Sequence, residues 1–533
     1  MREKLNFEHY PLPSEAVADG WDLVCLRDIA KLIASGFASG QHNDQGIGVP
    51  HIRPMNINRD GNLDLTTLKY VEGNVPRELS EGDVLFNNTN SPDLIGKSTS
   101  IQTNVRLGYS NHMTRLRLED GLHPQFFARQ LHFLWMCGYF RHRCTNHVNQ
   151  ASISTDPLAD TVPIHIPPSA EQTRIIETLD ELTTDLDAGV AALQRVQARL
   201  KIYRAAVLKA AVDGSLTEDW RQQHPHVEPA SELLKRILVE RRKRWEEEQL
   251  QKFTRTGKNP PKNWQSRYKE PKDPDFSCIW DTPESWTWVG VEALAVGTSN
   301  AIKAGPFGSS LKKEHYVADG YKIYGQEQVI RNDPHFGDYY ISSEHYQRLA
   351  SCSVKAGDLL ISLVGTTGKV LILPTNLEPG IINPRLIKIS VNPEFVYGKY
   401  LKLFIESPQA RAFIKEKAHG ETMDVLNMTI LKQFPLPLPP FEEQLAIIET
   451  VEDQLSIIDH IAADVNQKLK ETFTLRQAIL QKAFTGQLVS QDPDDEPASE
   501  LLKRIATERE ACLRAKGNHK TERITKRRTR RKS

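Results

Sequence analysis

Three short stretches of the sequence contain residue types that catalytic sites use. The first, NPPK at 259–262, has the Asn-Pro-Pro start of a loop with which methyl-transferring enzymes hold a flipped-out base. Such a loop ends in an aromatic residue that stacks on the base, and here Lys262 stands in that place. No glycine-rich cofactor loop precedes the stretch. The sequence therefore predicts no methyl-transfer site at this position.

The other two stretches each contain a lysine after a glycine. A phosphate-binding loop needs four residues between its glycines and a Ser or Thr after its lysine. In GTTGK, at 365–369, only two residues separate the glycines, and Val370 follows the lysine. SPDLIGK, at 91–97, has a Pro-Asp pair ahead of its lysine, as nuclease sites do, but it lacks the second acid needed to share a metal ion. Both stretches favour turns, and we expect no catalytic residue in the chain.

The cysteines predict no metal site either. The chain has six, and no two of them have the two-residue spacing with which a pair of thiolates binds one zinc ion. We therefore expect no metal ligands and no disulfide framework. We also expect no cofactor to be bound by this chain.

The composition is typical of a soluble chain with several domains. A length of 533 residues favours roughly three or four structural units. No segment approaches the roughly 18 apolar residues of a membrane span, and the first residues lack the apolar core of a secretory signal, so the cytoplasm is the expected compartment.

The charge is unevenly distributed along the chain. The net charge is zero, but residues 514–532 contain ten Lys or Arg and one acid. We expect 513–533 to be a disordered basic tail, which serves either solubility or attraction to phosphate.

A duplication organises the chain. The ten residues EPASELLKRI occur at 228–237 and again at 496–505. Upstream, IPPSAEQTRIIET at 166–178 aligns with LPPFEEQLAIIET at 438–450, at an offset of 438 − 166 = 272 residues. The chain is therefore two copies of one long unit. Each copy has a variable first part of about 150 residues and a similar second part.

Each second part begins with a long amphipathic helix. From 441 to 485 there is neither Gly nor Pro, and apolar residues recur at spacings of three and four, the pattern of a coiled-coil seam. At 1.5 Å per residue each helix would be about 65 Å long. Because so narrow a stripe suits another helix better than a sheet, we expect the two helices to pair; the alternative is that each packs only on its own globular domain. The predicted seam comprises Ile176, Leu179, Leu186, Val190, Leu193, Leu200, Ile448, Val451, Leu455, Ile458, Val465 and Leu469.

The variable parts predict compact domains of mixed structure. Short β-rich runs such as DVLF at 83–86 and DLLISLVG at 358–365 are separated by Gly, Asn and Pro turns. Helical patterns follow at 124–140 and 394–418 and are expected to cover the sheets. The predicted fold class is therefore α+β.

This organisation resembles the specificity subunit of Type I restriction-modification systems, over nearly all of residues 15–510. Copy one has SGFASGQHNDQG at 35–46 where copy two has GPFGSSLKK, so the match is weaker there, and the basic tail lies outside the resemblance. The stretches that carry the resemblance are GWDLVCL (20–26), GVPHIRPMNI (48–57), SWTWVGV (285–291), GPFGSSLKKEHY (305–316), GDLLISLVGTTGKV (357–370), and PLPLPPFEEQ (435–444) with its earlier copy.

The resemblance implies a DNA-recognising scaffold rather than an enzyme. Each variable part would be a mixed α/β target-recognition domain for one half of a split DNA sequence. The two long helices would join them as an intramolecular antiparallel coiled coil. The implied partners are double-stranded DNA, two methyltransferase (modification) subunits and a restriction/translocase subunit, with no membrane. S-adenosylmethionine, ATP and magnesium are implied for the partner subunits.

The resemblance also suggests boundaries and DNA contacts. The segments are target-recognition domain 1 (1–165), a first helical repeat (166–257), a Pro-rich linker (258–284), target-recognition domain 2 (285–437), a second helical repeat (438–512) and the basic tail (513–533). Contacts are expected from polar residues in turn-rich loops, because Asn and Gln suit adenine while Arg and Lys suit guanine or phosphate. The candidates are Arg53, Asn56, Asn88, Lys97, Arg141 and Arg143 in copy one, and Ser309, Ser310, Lys312, Lys313, Tyr324, Gln326 and Lys369 in copy two.

Two other functions stay open on the residues alone. A coiled-coil adaptor would bind proteins through its two globular domains. A self-sufficient nuclease or methyltransferase would be active alone with magnesium or S-adenosylmethionine, which the missing catalytic motifs oppose. DNA binding with a steep salt dependence and a preference for a split site would distinguish a DNA-recognising subunit from an adaptor.

Overall fold

The computed structural model describes residues 5–148, 150–274, 276, 279–307, 310–364, 366–417, 426–511 and 514. The predicted basic tail, except Arg514, lies outside the described residues. The chain forms two compact units. The first is drawn from residues up to 194 and from residue 466 onward, and the second from 195–465. Each unit thus combines one variable domain with parts of both helical repeats.

The variable domain of the first unit is built from short strands and one longer helix. Its first strand pairs antiparallel with its last, so the chain enters and leaves the domain side by side. In chain order the elements are β1 (Asp22–Cys25), α1 (Leu26–Ile29), β2 (Ala30–Ser35), β3 (Val49–Ile52), β4 (Tyr70–Val71), β5 (Glu78–Leu79), β6 (Val84–Asn87), β7 (Thr89–Asn90), β8 (Ser98–Ser100), β9 (Leu107–Tyr109), β10 (Met113–Leu118), α2 (Pro124–Met136), β11 (Thr145–Asn146), β12 (Ala151–Ser152), α3 (Thr155–Thr161) and β13 (Pro163–Ile166).

Two four-stranded sheets form this domain, in the orders β2-β10-β6-β8 and β4-β3-β9-β5. The pairing of β3 with β9 is parallel, and the other pairs in these two sheets are antiparallel. All four residues of β6 are buried, because α2 covers β6 and β8. Phe126, Phe127 and Leu131 of α2 are buried in the resulting core.

Three helices follow the first domain: α4 (Ser169–Asp213), α5 (Glu218–Gln223) and α6 (Ala230–Thr256). The long α4 starts directly after Pro167 and Pro168, since proline is tolerated at the start of a helix. Gly214, with φ of +86°, ends it in the left-handed conformation that glycine adopts without strain.

The second domain repeats the design of the first. Its four-stranded sheets have the orders β15-β22-β19-β20 and β16-β18-β17-β21, and β17 with β21 is again a parallel pair. The elements are β14 (Thr287–Gly290), α7 (Val291–Leu294), β15 (Ile302–Ala304), β16 (Tyr316–Val317), β17 (Tyr321–Tyr324), α8 (Gln326–Arg331), β18 (Tyr340–Ile341), α9 (Ser343–Arg348), β19 (Leu359–Ser362), β20 (Val370–Ile372), β21 (Gly380–Ile382), β22 (Leu386–Ile389), α10 (Gly398–Ile405), α11 (Pro408–Lys417), α12 (Met428–Lys432), β23 (Pro435–Leu438) and α13 (Phe441–Phe484). The chain is helical again over residues 498–511, which form α14.

In the first unit, the first half of α4 packs antiparallel to the second half of α13. Asp187 pairs with Arg476, and further back along α4 the Glu171 carboxylate accepts a hydrogen bond from Gln491 (2.7 Å), which lies beyond the end of α13. The two helices contribute apolar residues to one buried core with the domain: Ile176, Leu179, Leu480 and Phe484.

In the second unit, the second half of α4 packs antiparallel to the first half of α13. Arg204 pairs with Asp459, and further along the chain the Thr217 hydroxyl donates to Glu443 (2.7 Å), near the start of α13. The helices again share a core with their domain, through Val207, Ala211, Val451 and Ile458. All twelve predicted seam residues are buried or half-buried along α4 and α13.

The repeated decapeptide forms the same joint in both units. The Ala230 N–H donates to the Ser285 carbonyl (2.9 Å) at the start of the second domain, and the Ala498 N–H donates to the Gly20 carbonyl (2.8 Å) at the start of the first. Each copy of the decapeptide therefore docks on the domain that belongs to the other copy of the repeat. Its apolar residues complete the two cores: Leu233 and Ile237 in the second unit, Leu501 and Ile505 in the first.

Candidate nucleic-acid interface

Four loops of the second domain meet at one edge of the sheet β15-β22-β19-β20. The Gly305 N–H donates to Leu386 (3.0 Å), and a Cβ on Gly305 would lie 1.9 Å from the Asn383 carbonyl oxygen, so only glycine fits. Gln326 donates to the Val364 carbonyl oxygen. We call the described residues of 305–315, 325–331, 363–369 and 383–385 the second loop edge.

Four of the predicted contacts of copy two present polar groups at this edge. Ser310, Lys312 and Lys313 are exposed, and Lys369 is half-buried in the hairpin turn between β19 and β20. The Lys312 ammonium lies 3.3 Å from Glu314, an exposed pair that contributes little to stability. Ser309 lies outside the described residues. The second loop edge therefore presents hydroxyl and ammonium groups to solvent.

Two predicted contacts of copy two are used inside the domain. The Tyr324 side chain is buried, its hydroxyl donates to the Glu378 carbonyl (2.7 Å), and burial raises its pKa to about 12. Gln326 is half-buried, and its amide bonds to the loop after β19. The candidate interface is therefore drawn without Tyr324, and Gln326 has a positioning role in it.

The first domain has an equivalent edge. The Phe37 N–H donates to Tyr109 (3.1 Å), and the Asn111 N–H donates back to Phe37 (3.1 Å). The Asn88 N–H joins a third loop by donating to His112 (3.1 Å). We call residues 36–48, 88–96 and 110–112 the first loop edge, in which Asn111 is exposed and His112 is half-buried.

Three predicted contacts of copy one are corrected by their burial. Asn56 holds its own loop, because its amide donates to the Asp64 and Thr67 carbonyls (both 2.9 Å). Asn88 donates to the Thr114 hydroxyl (2.8 Å) beneath the first loop edge. Lys97 is only 6% exposed. Polar residues in turn-rich loops often satisfy buried backbone groups, so loop position alone did not identify exposed ones.

The Lys97 ammonium is buried beneath backbone carbonyl groups. It donates to the Pro54 carbonyl oxygen (3.2 Å) and to that of Ile57. Burial lowers the pKa of this amine, and the nearby Arg59 charge lowers it further. Lys97 therefore braces the loop after β3 from below and is not available to a ligand at the surface.

The remaining predicted contacts of copy one differ in their exposure and in the bonds that their side chains already make. Arg141 is exposed, 3.2 Å from Asp93. Arg143 is half-buried, donates to the carbonyls of Asn6 (3.2 Å) and Glu8 (2.7 Å), and lies over the Tyr139 ring at 4.2 Å. Arg53 is half-buried at the end of β3. Arg141 and Arg53 stay candidates for phosphate or base contact.

A pair of histidines connects the first loop edge to β3: His42 is exposed within the edge, and His51 of β3 is buried. His42 Nε2 and His51 Nδ1 are 3.0 Å apart. Burial lowers the pKa of His51 to about 4, with the neighbouring His42 and Arg53 charges as smaller causes, and desolvation also lowers that of His42. The pair is therefore neutral at pH 7 and contributes hydrogen-bonding groups rather than charge.

Sequence reasoning missed Arg385 and Asn111. Arg385 is exposed at the second loop edge, where the Leu363 N–H donates to its carbonyl oxygen (3.0 Å). The signal that could have found them was the alignment of the two copies at offset 272, which pairs Asn111 with Asn383 and so marks both edges.

Within the described ranges, no group of three or more His, Cys, Asp or Glu side chains is placed to hold a metal ion. Among the same residues, no helix is both long and apolar enough to cross a membrane.

Two duplicated domains with polar loop edges, each packed with parts of both long helices, define a protein built as an internal repeat. The family model of the Type I restriction modification DNA specificity domain matches residues 18–193 and 307–471, one match in each copy and more than half of the chain in total. The chain belongs to this family, and its role is the recognition of a DNA sequence. The family and the α+β fold that the sequence predicted are confirmed.

This chain aligns with individual relatives over nearly their full length. The chain is 26% identical over 520 residues to the Type I restriction enzyme EcoBI specificity subunit of Escherichia coli, covering 95% of this chain and 96% of the relative. It is 28% identical over 498 residues to the EcoKI specificity subunit of Escherichia coli strain K12, covering 89% and 91%. A solved chain from a study of complex assembly and conformational transition of the type I R-M system shares the fold, with a TM-score of 0.59 and 15% identity over 90% of this chain and 100% of that one.

Proposed function

We propose that this chain is the noncatalytic specificity subunit of a Type I restriction-modification complex and that it recognises a bipartite DNA target. Each loop edge would contact one half of the target, and α4 with α13 would hold the two domains at a fixed separation. The observation that carries the proposal is the duplication of the whole recognition unit, down to the decapeptide joints at Ala230 and Ala498.

Energetics support the use of two recognition domains. A sequence-specific protein must exceed its own nonspecific binding by about 4–10 kcal/mol, and one good bidentate base contact discriminates by about 1–3 kcal/mol. One domain that contacts three or four base pairs would barely reach that range. Two domains joined in one chain would add their discrimination.

The reaction steps would belong to partners. Two modification subunits would methylate adenine with S-adenosylmethionine, and a restriction/translocase subunit would use ATP and magnesium in the cytoplasm. The specificity subunit would dock them beside the DNA. The alternative of a coiled-coil adaptor has no support from the family match.

The proposal is tested by expressing the chain with its host's modification subunits and mapping methylated adenines across the host genome. We expect one split sequence with a fixed spacer. Purified complex should then prefer a duplex with that sequence over one with the halves scrambled, at several salt concentrations. Methylation by the chain alone, or equal binding to both duplexes, would contradict the proposal.

Substitutions at one loop edge make the test sharper. The exposed residues Ser310, Lys312, Lys313 and Arg385 can be replaced by Ala together. We expect loss of preference at one half of the target only.

The matched control removes the same charge elsewhere in the second unit. It replaces Lys235, Lys243 and Lys355 by Ala, three exposed positions outside the second loop edge. We expect both half-site preferences to stay unchanged. If the control relaxed the same half-site, the effect would come from charge alone and not from the loop edge.

A further inference from the structure

The last turn of α6 and the segment that follows it concentrate positive charge. We call residues 253–272 the basic turn; it contains six cations and one acid, Glu270. All six cations are exposed, and none makes an ion pair within the part of the chain that the structure describes. They are Arg255, Lys258, Lys262, Arg267, Lys269 and Lys272.

The preceding part of α6 behaves differently, because residues 230–252 contain seven cations and five acids, so most of the positive charge is offset. Arg244 pairs with Glu240 (2.9 Å), and Lys252 pairs with Glu248 (3.2 Å), each one helical turn apart. The excess of cations over acids is therefore five within residues 253–272 but only two within residues 230–252.

The basic turn has a defined shape, although its composition is that of a linker. Gly257, with φ of +64°, ends α6 in the left-handed conformation, and the Lys258 N–H donates to Phe253 (3.1 Å). Residues Trp264–Arg267 then form a short 3-10 helix.

An aromatic clasp, formed by Trp245, Phe253, Trp264 and Tyr268, holds this turn on α6. Trp245 of α6 stacks on Trp264, with ring centroids 5.9 Å apart and an interplanar angle of 21°, and lies 5.3 Å from the Tyr268 ring. Phe253 meets Trp264 edge-on at 6.2 Å. Arg241 donates to the Tyr268 hydroxyl (3.0 Å). The four rings therefore fix the frame on which the cations are displayed.

Holding like charges together on a rigid frame is unfavourable in the free protein. A polyanion offsets that repulsion and releases its own bound counterions. We propose that the basic turn binds the phosphate backbone of duplex DNA outside the recognised half-site. This inference rests on the proposed function.

Two observations select duplex backbone as the partner. The clasp rings pack on one another and are half-buried, so they are not free to stack on the bases of a single strand. The six cations are spread along a segment of twenty residues, which suits a series of phosphates, whose contacts carry no sequence information.

The basic turn also lies apart from the second loop edge. Near its start, Lys252 donates to the Ser299 hydroxyl (3.3 Å), and Glu248 accepts from the same residue. Ser299 precedes β15, whereas the loop of Ser310 and Lys312 follows it. The two surfaces are therefore at opposite ends of that strand.

The duplication repeats this charge pattern. After the second decapeptide, residues 514–532 contain ten cations and one acid, as 253–272 contain six and one after the first. The same kind of segment follows the same joint in both copies, which is expected if each copy contributes a backbone contact.

The test uses the full chain assembled with its modification subunits and a variant with Lys258, Lys262, Arg267 and Lys269 replaced by Gln. The probes are two duplexes: one of about 60 base pairs centred on the mapped site and one trimmed to the site itself. Binding constants are measured over a salt series. We expect the slope of log K against log salt to fall by about 0.9 for each phosphate contact that the substitutions remove, hence by about two to four, on the long duplex only. Preference for the correct site should not change.

The matched control replaces Arg195, Arg199, Lys201 and Lys209 by Gln, which removes the same net charge from exposed positions on α4. We expect its slope to equal that of the wild type. Equal slopes for the basic-turn variant and the wild type, or an equal drop in the control, would overturn the inference.

Two further outcomes distinguish failure of the basic turn's role from failure of the proposed function. If the wild-type complex does not prefer its site, the proposed function fails whatever the slope. If the basic-turn variant no longer assembles with the modification subunits, the turn binds an acidic protein surface and the inference is wrong.

A second variant covers the case in which the fourfold variant folds poorly. The pair Lys258→Gln and Lys262→Gln leaves the clasp untouched and should give about half the change in slope.

Discussion

At the scale of single residues, the duplication gives two buried carboxylates the same place but different partners. Glu171 and Glu443 are both 0% exposed, and each accepts a hydrogen bond from the tryptophan that starts its domain: Trp21 (3.0 Å) and Trp286 (2.9 Å). Glu443 also pairs with Arg221 (2.6 Å), whereas burial raises the pKa of Glu171. The second carboxylate therefore has a guanidinium partner, whereas the first instead accepts a hydrogen bond from the Gln491 amide (2.7 Å).

This difference predicts unequal effects of the same substitution. Glu443→Gln removes a charge-assisted hydrogen bond and leaves Arg221 with a neutral partner, and should cost about 2–3 kcal/mol of unfolding free energy. Glu171→Gln retains one accepting oxygen and should cost about 1 kcal/mol. Calorimetry of the two variants checks this, and equal losses would show that Arg221 does not distinguish the sites.

At the scale of elements, two ion pairs cross between α4 and α13 at equivalent positions. Arg204 with Asp459 and Arg476 with Asp187 are related by the same offset of 272 residues, in reverse roles. Arg476 is the more enclosed of the two arginines, with a side chain 9% exposed against 40% for Arg204, and it also lies 3.5 Å from Asp60 of the first domain. A polar pair within an apolar seam can fix which residues face each other.

The enclosed ion pair, Arg476 with Asp187, should therefore contribute more to stability than the exposed pair, Arg204 with Asp459. Reversing the charge with Arg476→Asp places a carboxylate beside Asp187 and Asp60 and should cost about 3–5 kcal/mol. Adding Asp187→Arg should restore most of that loss. The same cycle at Arg204 and Asp459 should give a coupling under about 1 kcal/mol. Thermal unfolding of the single and double variants measures both couplings, and similar values would refute the role of enclosure.

At the scale of the whole molecule, the sequence predicted the long helices better than it predicted which loop residues are exposed. The period of the seam predicted α4 and α13, because helix periodicity is a local property of the sequence. The burial of Asn56, Asn88 and Lys97 was not predictable, because it depends on which carbonyl groups the folded loops leave unsatisfied. Likewise, only the folded chain shows that each decapeptide docks on the domain of the other copy.

The boundary between the two compact units falls inside both long helices, at residues 194/195 of α4 and 465/466 of α13. A seven-residue insertion at both boundaries keeps the heptad pattern of each unit and adds about 10 Å of helix. If these helices set the separation proposed above, the preferred DNA spacer should lengthen by about three base pairs at 3.4 Å each. Half-site preferences should not change. Methylome sequencing checks this, and an unchanged spacer would exclude the proposed role of the helices.

The control for that prediction is an insertion in α4 alone. Because α13 keeps its length, residues on one side of the insertion lose their partners across the seam. We expect loss of thermal stability and of DNA binding together, which distinguishes disrupted pairing from an altered spacer.

The two units should also differ in their response to acid. Three buried or largely buried histidines, His51, His132 and His165, lie in the first unit, and desolvation lowers the pKa of each to about 4. In the unfolded chain they titrate near pH 6.5, so between pH 6.5 and 4 the unfolded state binds protons that the folded state does not. Their contribution is therefore present above pH 6.5 and is lost as the pH falls, by about 2 kcal/mol per histidine at pH 5.

The second unit should lose stability only at a lower pH than the first unit. There, Lys322 lowers the pKa of the Glu378 carboxyl, and Arg244 lowers that of Glu240, so the stability from these groups is present above the unfolded value of 4.5 and lost below it. Calorimetry at pH 7.5 and pH 5 and constant ionic strength should show the transition of the first unit moving down while that of the second stays. Glu171→Gln and Glu443→Gln assign the two transitions, because each variant shifts one of them. Equal shifts of both transitions above pH 5 would mean that the buried histidines of the first unit do not govern its acid stability.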